Sequence, residues 1–295
     1  MPELPEVESI KLQLSKYVVG HKIEAVDVRN QKIFQGKTSD VVGAKIKEIR
    51  RFAKVLSIDL SNGNSLVIHI KLTGQLIYRG PNLSVKGRSS SGRKTVPPLS
   101  KKVMGGVPGP HTHVIFDLDG GGFLYYNDIR RFGWVKVIKT KDVEKTGFIG
   151  KLGPEPFKDL TLQYFEKVLS KTARTIKVVL MDQAKIGGVG NIYANDALWL
   201  SKINPKTPAS QLSDNEVKDL YDSIHKVLKA GMKYGGASEL AFVTPDGAEG
   251  EYQKHTLAYG RDGEPCERCH KAKIQKYFLS GRGTYFCPIC QIYLS

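Results

Sequence analysis

One stretch near the C-terminus decides how that end of the chain folds: CERCHKAKIQKYFLSGRGTYFCPIC, residues 266–290. It holds all four cysteines, arranged as two Cys-x2-Cys pairs with 17 residues between them. This spacing falls within the pattern of zinc-binding hairpins, in which two thiolates from each pair complete a closed tetrahedral set. Two disulfides, or four unrelated cysteines, are disfavoured because paired spacing of this kind is rarely accidental. We therefore predict one structural Zn²⁺, with the ligands Cys266, Cys269, Cys287 and Cys290.

The charge of the chain indicates a polyanionic partner. Its 295 residues include 45 Lys+Arg against 29 Asp+Glu, a formal net charge of +16. The zinc stretch alone carries five basic residues and one acid, which suits contact with phosphates. No apolar run has the length of a spanning helix, and the N-terminus lacks the basic and apolar regions of a signal peptide. We expect a soluble intracellular protein that binds nucleic acid rather than a membrane.

The first half of the chain has the pattern of β-strands. Apolar residues alternate on both sides of Asn62-Gly63, which is a strong hairpin signal, and a second hairpin is predicted at Asp119–Gly122. Residues 23–138 therefore predict an antiparallel sandwich or barrel. An insertion at 79–110 has seven basic residues and no acid, which indicates either a long, mobile, cationic loop or a merely solvated insertion.

The second half changes to a helical period after Gly153-Pro154-Glu155-Pro156. Helices are predicted at 176–180, from Asn191 to Leu200, and from Ser213, an N-cap with Glu216 three residues later, to Tyr234. The glycines at 187–190 precede the second of these helices. There they suit either a phosphate site at a helix N-terminus or an ordinary tight connection.

The N-terminal sequence Met-Pro-Glu-Leu-Pro-Glu carries candidate chemistry. If Met1 is removed, Pro2 exposes a secondary α-amine whose ordinary pKa leaves part of it unprotonated at neutral pH. Such an amine can form a Schiff base with an aldehydic carbon, and Glu3 and Glu6 are acid/base candidates beside it. The same residues also suit a plain helix start, since proline and acidic side chains favour the first turn.

A further candidate is the sequence Asp128-Ile-Arg130-Arg-Phe132-Gly133 at the end of a predicted strand. An exposed Arg/Phe pair can enter a base stack and occupy the place of an everted nucleotide. A core phenylalanine is the simpler interpretation of this sequence taken alone. By the same argument, Lys54, His69 and Lys71 are expected to be solvent-facing polar positions in or beside strands.

Four motifs, in this order and nearly end to end, resemble the bacterial formamidopyrimidine-DNA glycosylases. They are Met-Pro-Glu-Leu-Pro-Glu-Val-Glu at 1–8, the Asn-Asp and Arg-Arg-Phe-Gly sequences of 127–133, Gly-Val-Gly-Asn-Ile-Tyr at 188–193, and Tyr-Gly-Arg at 259–261 leading into the cysteines. The resemblance implies a base-excision repair enzyme that removes oxidised purines, such as 8-oxoguanine and formamidopyrimidines, and then cleaves the abasic strand by β,δ-elimination. It implies an α+β multidomain fold that binds damaged double-stranded DNA in a cleft between domains, as a monomer in the cytoplasm at the nucleoid.

The implied domains are a catalytic β-sandwich with an N-terminal helix at 1–139, a linker at 140–157, a helix–two-turn–helix domain at 158–250 and a zinc finger at 251–295. In this family Pro2 would attack C1′ of the damaged nucleotide, Glu3 would move protons, and Glu6 would support the site. The implied phosphate contacts are Lys54, which we count with the catalytic residues, His69, Asn191 and Arg282. Tyr193, in the same motif as Asn191, is counted with the DNA-binding residues.

Leu72, Arg130 and Phe132 match the residues that fill the space of the everted base, with Leu72 where methionine is common. The chain departs from the family pattern at two places, of which the first bears on lesion preference and the second has no assigned role. Ala184 stands at a turn position where some members carry a lysine, and the insertion at 79–110 is longer than usual. The rival hypothesis is a non-catalytic zinc-ribbon protein that binds nucleic acid. It would need the charge and the zinc but no processed N-terminus.

Overall fold

A computed structural model describes residues 1–81, 83 and 97–293, and the chain divides into two compact units. Unit 1 comprises Met1–Gly150 and Tyr234–Gln253, and unit 2 comprises Lys151–Lys233 and Lys254–Ser295. Segment 234–253 thus follows the last long helix in sequence but packs with unit 1. Most of the N-terminal part of the predicted insertion, at 82 and 84–96, lies outside the described residues.

Unit 1 contains one α-helix and nine strands among its described residues. They are α1 (Leu4–Val18), β1 (Ile23–Val28), β2 (Phe34–Gln35), β3 (Ile46–Phe52), β4 (Val55–Leu60), β5 (Asn64–His69), β6 (Gly74–Arg79), β7 (Thr112–Leu118), β8 (Gly122–Asp128) and β9 (Trp134–Lys139). One sheet has the order β1-β7-β8-β6, and the other has the order β2-β9-β5-β4-β3. All pairs are antiparallel except β2 with β9. Buried side chains from both sheets and from α1 form one core, which confirms the predicted sandwich with an N-terminal helix.

Both predicted hairpins are present in unit 1. Strands β4 and β5 are joined at Asn62-Gly63, and β7 and β8 are joined through Gly120 and Gly121. These three glycines have φ angles of +76°, +77° and +80°, a left-handed conformation that glycine adopts without steric cost. The apolar alternation after Asn62-Gly63 continues in the sequence as far as Leu72, but β5 stops at His69, and Leu72 lies in the turn before β6.

Unit 2 contains four α-helices and one hairpin among its described residues. They are α2 (Leu162–Ser170), α3 (Ile176–Leu180), α4 (Asn191–Leu200), α5 (Asp214–Lys233), β10 (Gln275–Leu279) and β11 (Arg282–Phe286). The predicted cap of α5 is confirmed, because the backbone N–H and the hydroxyl of Ser213 donate to Glu216 Oε2 at 2.9 and 2.8 Å. Helices α3, α4 and α5 and the C-terminal hairpin confirm the predicted α+β architecture. Within the described ranges, no helix is long and apolar enough to cross a membrane.

Candidate active site and metal centre

The first turn of α1 brings together Pro2, Glu3 and Glu6, and all three are buried. Glu3 is the N-cap residue, and its backbone N–H donates to Glu6 Oε2 at 2.7 Å. Met1, in contrast, is 41% exposed. The residues that start the helix are therefore also the candidate catalytic residues. Glu3, which caps α1, directly follows Pro2, the predicted nucleophile.

Glu6 is held by a second segment of unit 1. Its Oε1 accepts a hydrogen bond from the backbone N–H of Ala237 at 2.8 Å, so each carboxylate oxygen has a main-chain donor. Gly236 has φ of +87°, and a Cβ built there would lie 2.8 Å from Glu6 Cγ. The sequence alone did not predict this contact: Gly235-Gly236 follows the predicted end of a helix at Tyr234, and this glycine pair was the available signal.

Lys54 and His69 are both buried, so the expectation from the strand pattern that they face solvent is wrong. Lys54 lies in the two-residue turn between β3 and β4 and is 3% exposed. His69 ends β5 and is 2% exposed, with its ring against Trp134 and Phe148. An alternating pattern identifies the face of a strand, but it does not show which loops will cover that face.

The protonation state of His69 follows from its surroundings. Its Nδ1 accepts a hydrogen bond from the backbone N–H of Lys71 at 3.1 Å, which places the ring proton on Nε2. Burial, with the positive charges of Lys71 and Lys54, lowers the pKa of His69 from 6.5 to about 3. At neutral pH the ring is therefore an uncharged N–H donor.

The loop that carries Arg130 and Phe132 is anchored on Asp128, which is fully buried. The Asp128 carboxylate accepts hydrogen bonds from the Thr73 hydroxyl at 2.5 Å and from the backbone N–H groups of Arg130 and Gly133 at 3.2 and 2.8 Å. Thr73 also accepts from Arg130 N–H at 3.0 Å, which ties the turn carrying Leu72 to this loop. Thr73 and Asp128 are thus supporting residues that sequence reasoning did not identify.

This anchoring presents an apolar and cationic pair to solvent. The Arg130 guanidinium lies 4.7 Å from the centroid of the Phe132 ring, and Phe132 is 53% exposed. The interpretation of Phe132 as a core residue is therefore wrong, because the ring is held out of the core by the loop.

In unit 2, Asn191 begins α4 directly after the glycine-rich turn and is half-buried. The side chain of Gln183 orders that turn: Oε1 accepts from Gly188 N–H at 3.0 Å and Nε2 donates to the Val189 carbonyl at 2.7 Å. Tyr193 is fully buried, and Gly231 of α5 lies against its ring. Its side chain thus packs in the core beneath the N-terminus of α4.

Arg282 is exposed at the start of β11, after the turn Ser280-Gly281. Two polar side chains attach this hairpin to the helices of the same unit. The buried Lys177 donates from Nζ to the Gly283 carbonyl and the Thr284 hydroxyl, both at 2.7 Å, and Asn195 Oδ1 accepts from Tyr285 N–H at 2.8 Å. Lys177 gave no signal in the sequence, where it is one lysine in a short amphipathic helix.

The four cysteines converge on one point. Their sulfur atoms lie within 4.8 Å of one another, with Cys266 to Cys290 at 3.9 Å and Cys269 to Cys287 at 3.7 Å. Four thiolates on a tetrahedral Zn²⁺ with bonds of about 2.3 Å would have sulfurs about 3.8 Å apart. The cluster therefore has the ligand type and the spacing to hold a metal ion.

These features are those expected of a DNA-processing enzyme with a helical DNA-binding module and a metal-binding hairpin. The family model of the formamidopyrimidine-DNA glycosylase N-terminal domain matches residues 1–135 of the chain. The family model of the formamidopyrimidine-DNA glycosylase H2TH domain matches residues 152–242. The chain belongs to the formamidopyrimidine-DNA glycosylase family, as its resemblance implied.

Curated relatives and solved structures agree along the whole chain. Formamidopyrimidine-DNA glycosylases of Ligilactobacillus salivarius and Rickettsia africae are each 36% identical to this chain, with 99% of both chains covered. A complex of Lactococcus lactis Fpg with abasic-site DNA has a TM-score of 0.83 at 31% identity, covering 99% of this chain and 100% of that one. The MutM (Fpg) protein of Thermus thermophilus has a TM-score of 0.82 at 32% identity, covering 98% of each chain.

Proposed function

We propose that this chain excises oxidised purines, 8-oxoguanine and formamidopyrimidines, through a Schiff base at Pro2, and then cleaves the abasic strand by β,δ-elimination. As a member of its family it is a DNA glycosylase with abasic-site lyase activity in base-excision repair, and its partner is damaged double-stranded DNA. The observation that carries the proposal is the buried turn in which Pro2 adjoins Glu3 and Glu6. We further propose that it acts as a monomer, in the cytoplasm at the nucleoid.

The proposed chemistry begins when removal of Met1 frees the Pro2 amine. Its nitrogen forms a bond to C1′ of the damaged nucleotide, the bond from C1′ to the base breaks, and the amine proton passes to the departing base. Glu3 donates a proton to the sugar ring oxygen, which opens the ring and leaves a cationic Schiff base at C1′. Loss of a proton from C2′ then expels the 3′ phosphate, and loss of a proton from C4′ expels the 5′ phosphate. Water finally hydrolyses the remaining Schiff base and frees the Pro2 amine. Glu6, bonded to the Glu3 main chain, keeps the proton donor in place.

The proposed DNA contacts divide by chemistry. Lys54, His69, Asn191 and Arg282 would contact phosphates, with His69 acting as a neutral donor and Arg282 as a charge. Leu72, Arg130 and Phe132 would occupy the space that the everted base leaves, and the exposure of the Phe132 ring supports this role. The buried Tyr193 supports Asn191 through its packing under α4.

The metal is proposed to be one structural Zn²⁺ in the finger at 251–295. Four thiolates leave no open coordination position, so the ion would stabilise the hairpin that presents Arg282 and would take no part in the chemistry. The basic residues around the cysteines favour zinc in this DNA-binding role over a redox role.

Borohydride trapping tests the proposed chemistry, because borohydride reduces a Schiff base to a stable covalent adduct. We expect the wild-type protein to form such an adduct with a duplex containing 8-oxoguanine, and Pro2→Gly and Glu3→Gln to form none. Glu24→Gln, at a half-exposed position in the same unit, is the matched control and should trap normally. Intact mass of each sample reports whether Met1 has been removed.

The same experiment separates the proposed enzyme from a non-catalytic zinc-ribbon protein. A processed wild-type protein that binds lesion DNA but never forms the adduct would contradict the proposal. Trapping that persists in Pro2→Gly at the wild-type level would show that the secondary amine of Pro2 is not required, because the variant's own N-terminal amine or a lysine would then suffice.

A further inference from the structure

The described C-terminal part of the insertion, residues 97–107, is docked on unit 1. Val103 is 5% exposed and lies in a buried cluster with Ile77, Tyr125 and Val243. Two of these partners belong to strands β6 and β8, and the third belongs to segment 234–253. This part of the insertion, which we call the arm, is therefore neither mobile nor merely solvated.

Polar contacts join the arm to segment 238–249. Lys102 Nζ donates to the Ser238 carbonyl at 2.7 Å and forms an ion pair with Glu249 at 3.6 Å. The backbone N–H of Ser100 donates to the Gly247 carbonyl at 2.8 Å. The arm thus holds both ends of a segment that has no helix or strand of its own.

Gln75 of strand β6 ties the arm and the segment to the same sheet. It is 3% exposed, and its Nε2 donates to the Lys102 carbonyl at 3.0 Å and to the Ala241 carbonyl at 2.7 Å. The side-chain amide of Gln75 therefore holds the arm at Lys102 and holds segment 238–249 at Ala241. Movement of the arm would break one of the two hydrogen bonds that this amide donates, and the other holds the segment.

The held segment leads directly to the active-site carboxylate. Ser238, whose carbonyl accepts from Lys102, follows Ala237, whose N–H donates to Glu6 Oε1 at 2.8 Å. Glu6 in turn accepts from the Glu3 backbone at 2.7 Å. Because buried charge-assisted hydrogen bonds are strong and directional, a displacement of the Ala237–Ser238 backbone would be transmitted to Glu6.

We propose that Lys102 is a positioning residue of the glycosylase site. It holds the Ala237–Ser238 backbone so that Ala237 keeps Glu6, and through it Glu3, in the reactive arrangement. The insertion at 79–110 supplies this residue. The inference rests on the proposed function, and it adds a site contribution from a segment outside the sequence motifs of the family.

The test compares Lys102→Met with Lys102→Arg and with a matched control, Lys101→Met, which removes the same charge from an exposed neighbouring position. Two quantities are measured in the full-length protein: hydrogen exchange of the peptide containing residues 237–249, and the single-turnover rate of 8-oxoguanine excision at saturating protein. For Lys102→Met we expect exchange roughly tenfold faster and excision roughly three- to tenfold slower, with the dissociation constant for lesion DNA within about twofold of wild type.

Lys102→Arg should recover most of the excision rate, because a guanidinium can donate to the same carbonyl and pair with Glu249. Lys101→Met should match wild type in both measurements. Faster exchange in Lys102→Met with an unchanged excision rate would overturn the inference, and so would unchanged exchange. Absence of excision in the wild-type protein would instead contradict the proposed function, while the exchange data would still report whether Lys102 holds the segment.

Discussion

Glu6 illustrates which single-residue properties the sequence could predict. Its place beside Pro2 and Glu3 follows from spacing within one helix turn, so the candidate acid group was predictable from local sequence. Its contact with Ala237 joins residues 231 positions apart, and no local pattern encodes a contact of that separation. The burial of Lys54 and His69 was missed for the same reason, because burial depends on which distant segments cover a strand.

Replacement of Gly236 by alanine should impair excision more than it impairs folding. A Cβ at this position would lie 2.8 Å from Glu6 Cγ, so the carboxylate must move. We expect single-turnover excision to fall by roughly tenfold or more, since small misplacements of catalytic groups are costly.

The matched control is Gly235→Ala. Gly235 also has a positive φ, of +70°, so alanine there has backbone strain of about 1 kcal/mol, similar to that at Gly236. The nearest atom to its Cβ, however, would be Gly250 Cα at 3.8 Å, so no side chain is displaced. Thermal unfolding should shift similarly in the two variants, whereas excision should differ. Equal excision rates would show that the position of Glu6 does not limit the reaction.

The buried His69 should make the protein sensitive to mild acid. Its folded pKa, lowered to about 3, lies below the ordinary value of 6.5, so the unfolded chain binds the proton more readily. The stability due to this group is complete above pH 6.5 and is lost progressively as the pH falls towards 3.

Urea unfolding at pH 7.5 and pH 5.0 measures this effect. At pH 5 the loss from one such group is about 2 kcal/mol. His69→Gln cannot take up the proton, so its free energy of unfolding should change between the two pH values by about 2 kcal/mol less than that of wild type. The same change in both proteins would show that His69 is protonated at similar pH in the folded and unfolded chains.

At the scale of elements, the predictable features were those with a local chemical cause. The glycine turns fix both sandwich hairpins, the Ser213 and Glu216 pair fixes the start of α5, and the Cys-x2-Cys spacing fixes the metal-binding hairpin. Attachment of the metal-binding hairpin to α3 through Lys177 was not predictable, since an amphipathic helix shows which side is apolar and not which partner it meets.

Removal of the metal should weaken DNA binding without displacing the candidate catalytic residues of unit 1. We expect elemental analysis to find one zinc per chain and treatment with a strong chelator to weaken binding of lesion DNA by roughly tenfold or more, because the hairpin holding Arg282 loses its cross-link. Added Zn²⁺ should restore binding, and Cys266→Ser should reproduce the loss. Full affinity in protein shown to be metal-free would exclude a zinc-dependent hairpin from DNA binding.

At the scale of the whole molecule, charge dominates the expected binding behaviour. With a net charge of +16, affinity for duplex DNA should fall steeply between about 50 and 200 mM salt, because each neutralised phosphate releases counterions. In a plot of log affinity against log salt at pH 8, Arg282→Ala should lower the slope by about 0.9. His69→Gln should leave the slope unchanged, since the neutral ring releases no counterion. Equal slopes for wild type and Arg282→Ala would remove Arg282 from the phosphate contacts.

Unit 1 is built from two stretches of chain, because Tyr234–Gln253 returns to it after most of unit 2 has intervened. On the ribosome, Ala237 emerges 231 residues after Glu6, a delay of roughly 12–46 s at ordinary rates of synthesis. During that interval the Glu6 carboxylate lacks the hydrogen bond from the Ala237 N–H. Nascent chains truncated before residue 237 therefore carry Pro2 and both glutamates without the Ala237 N–H that donates to Glu6.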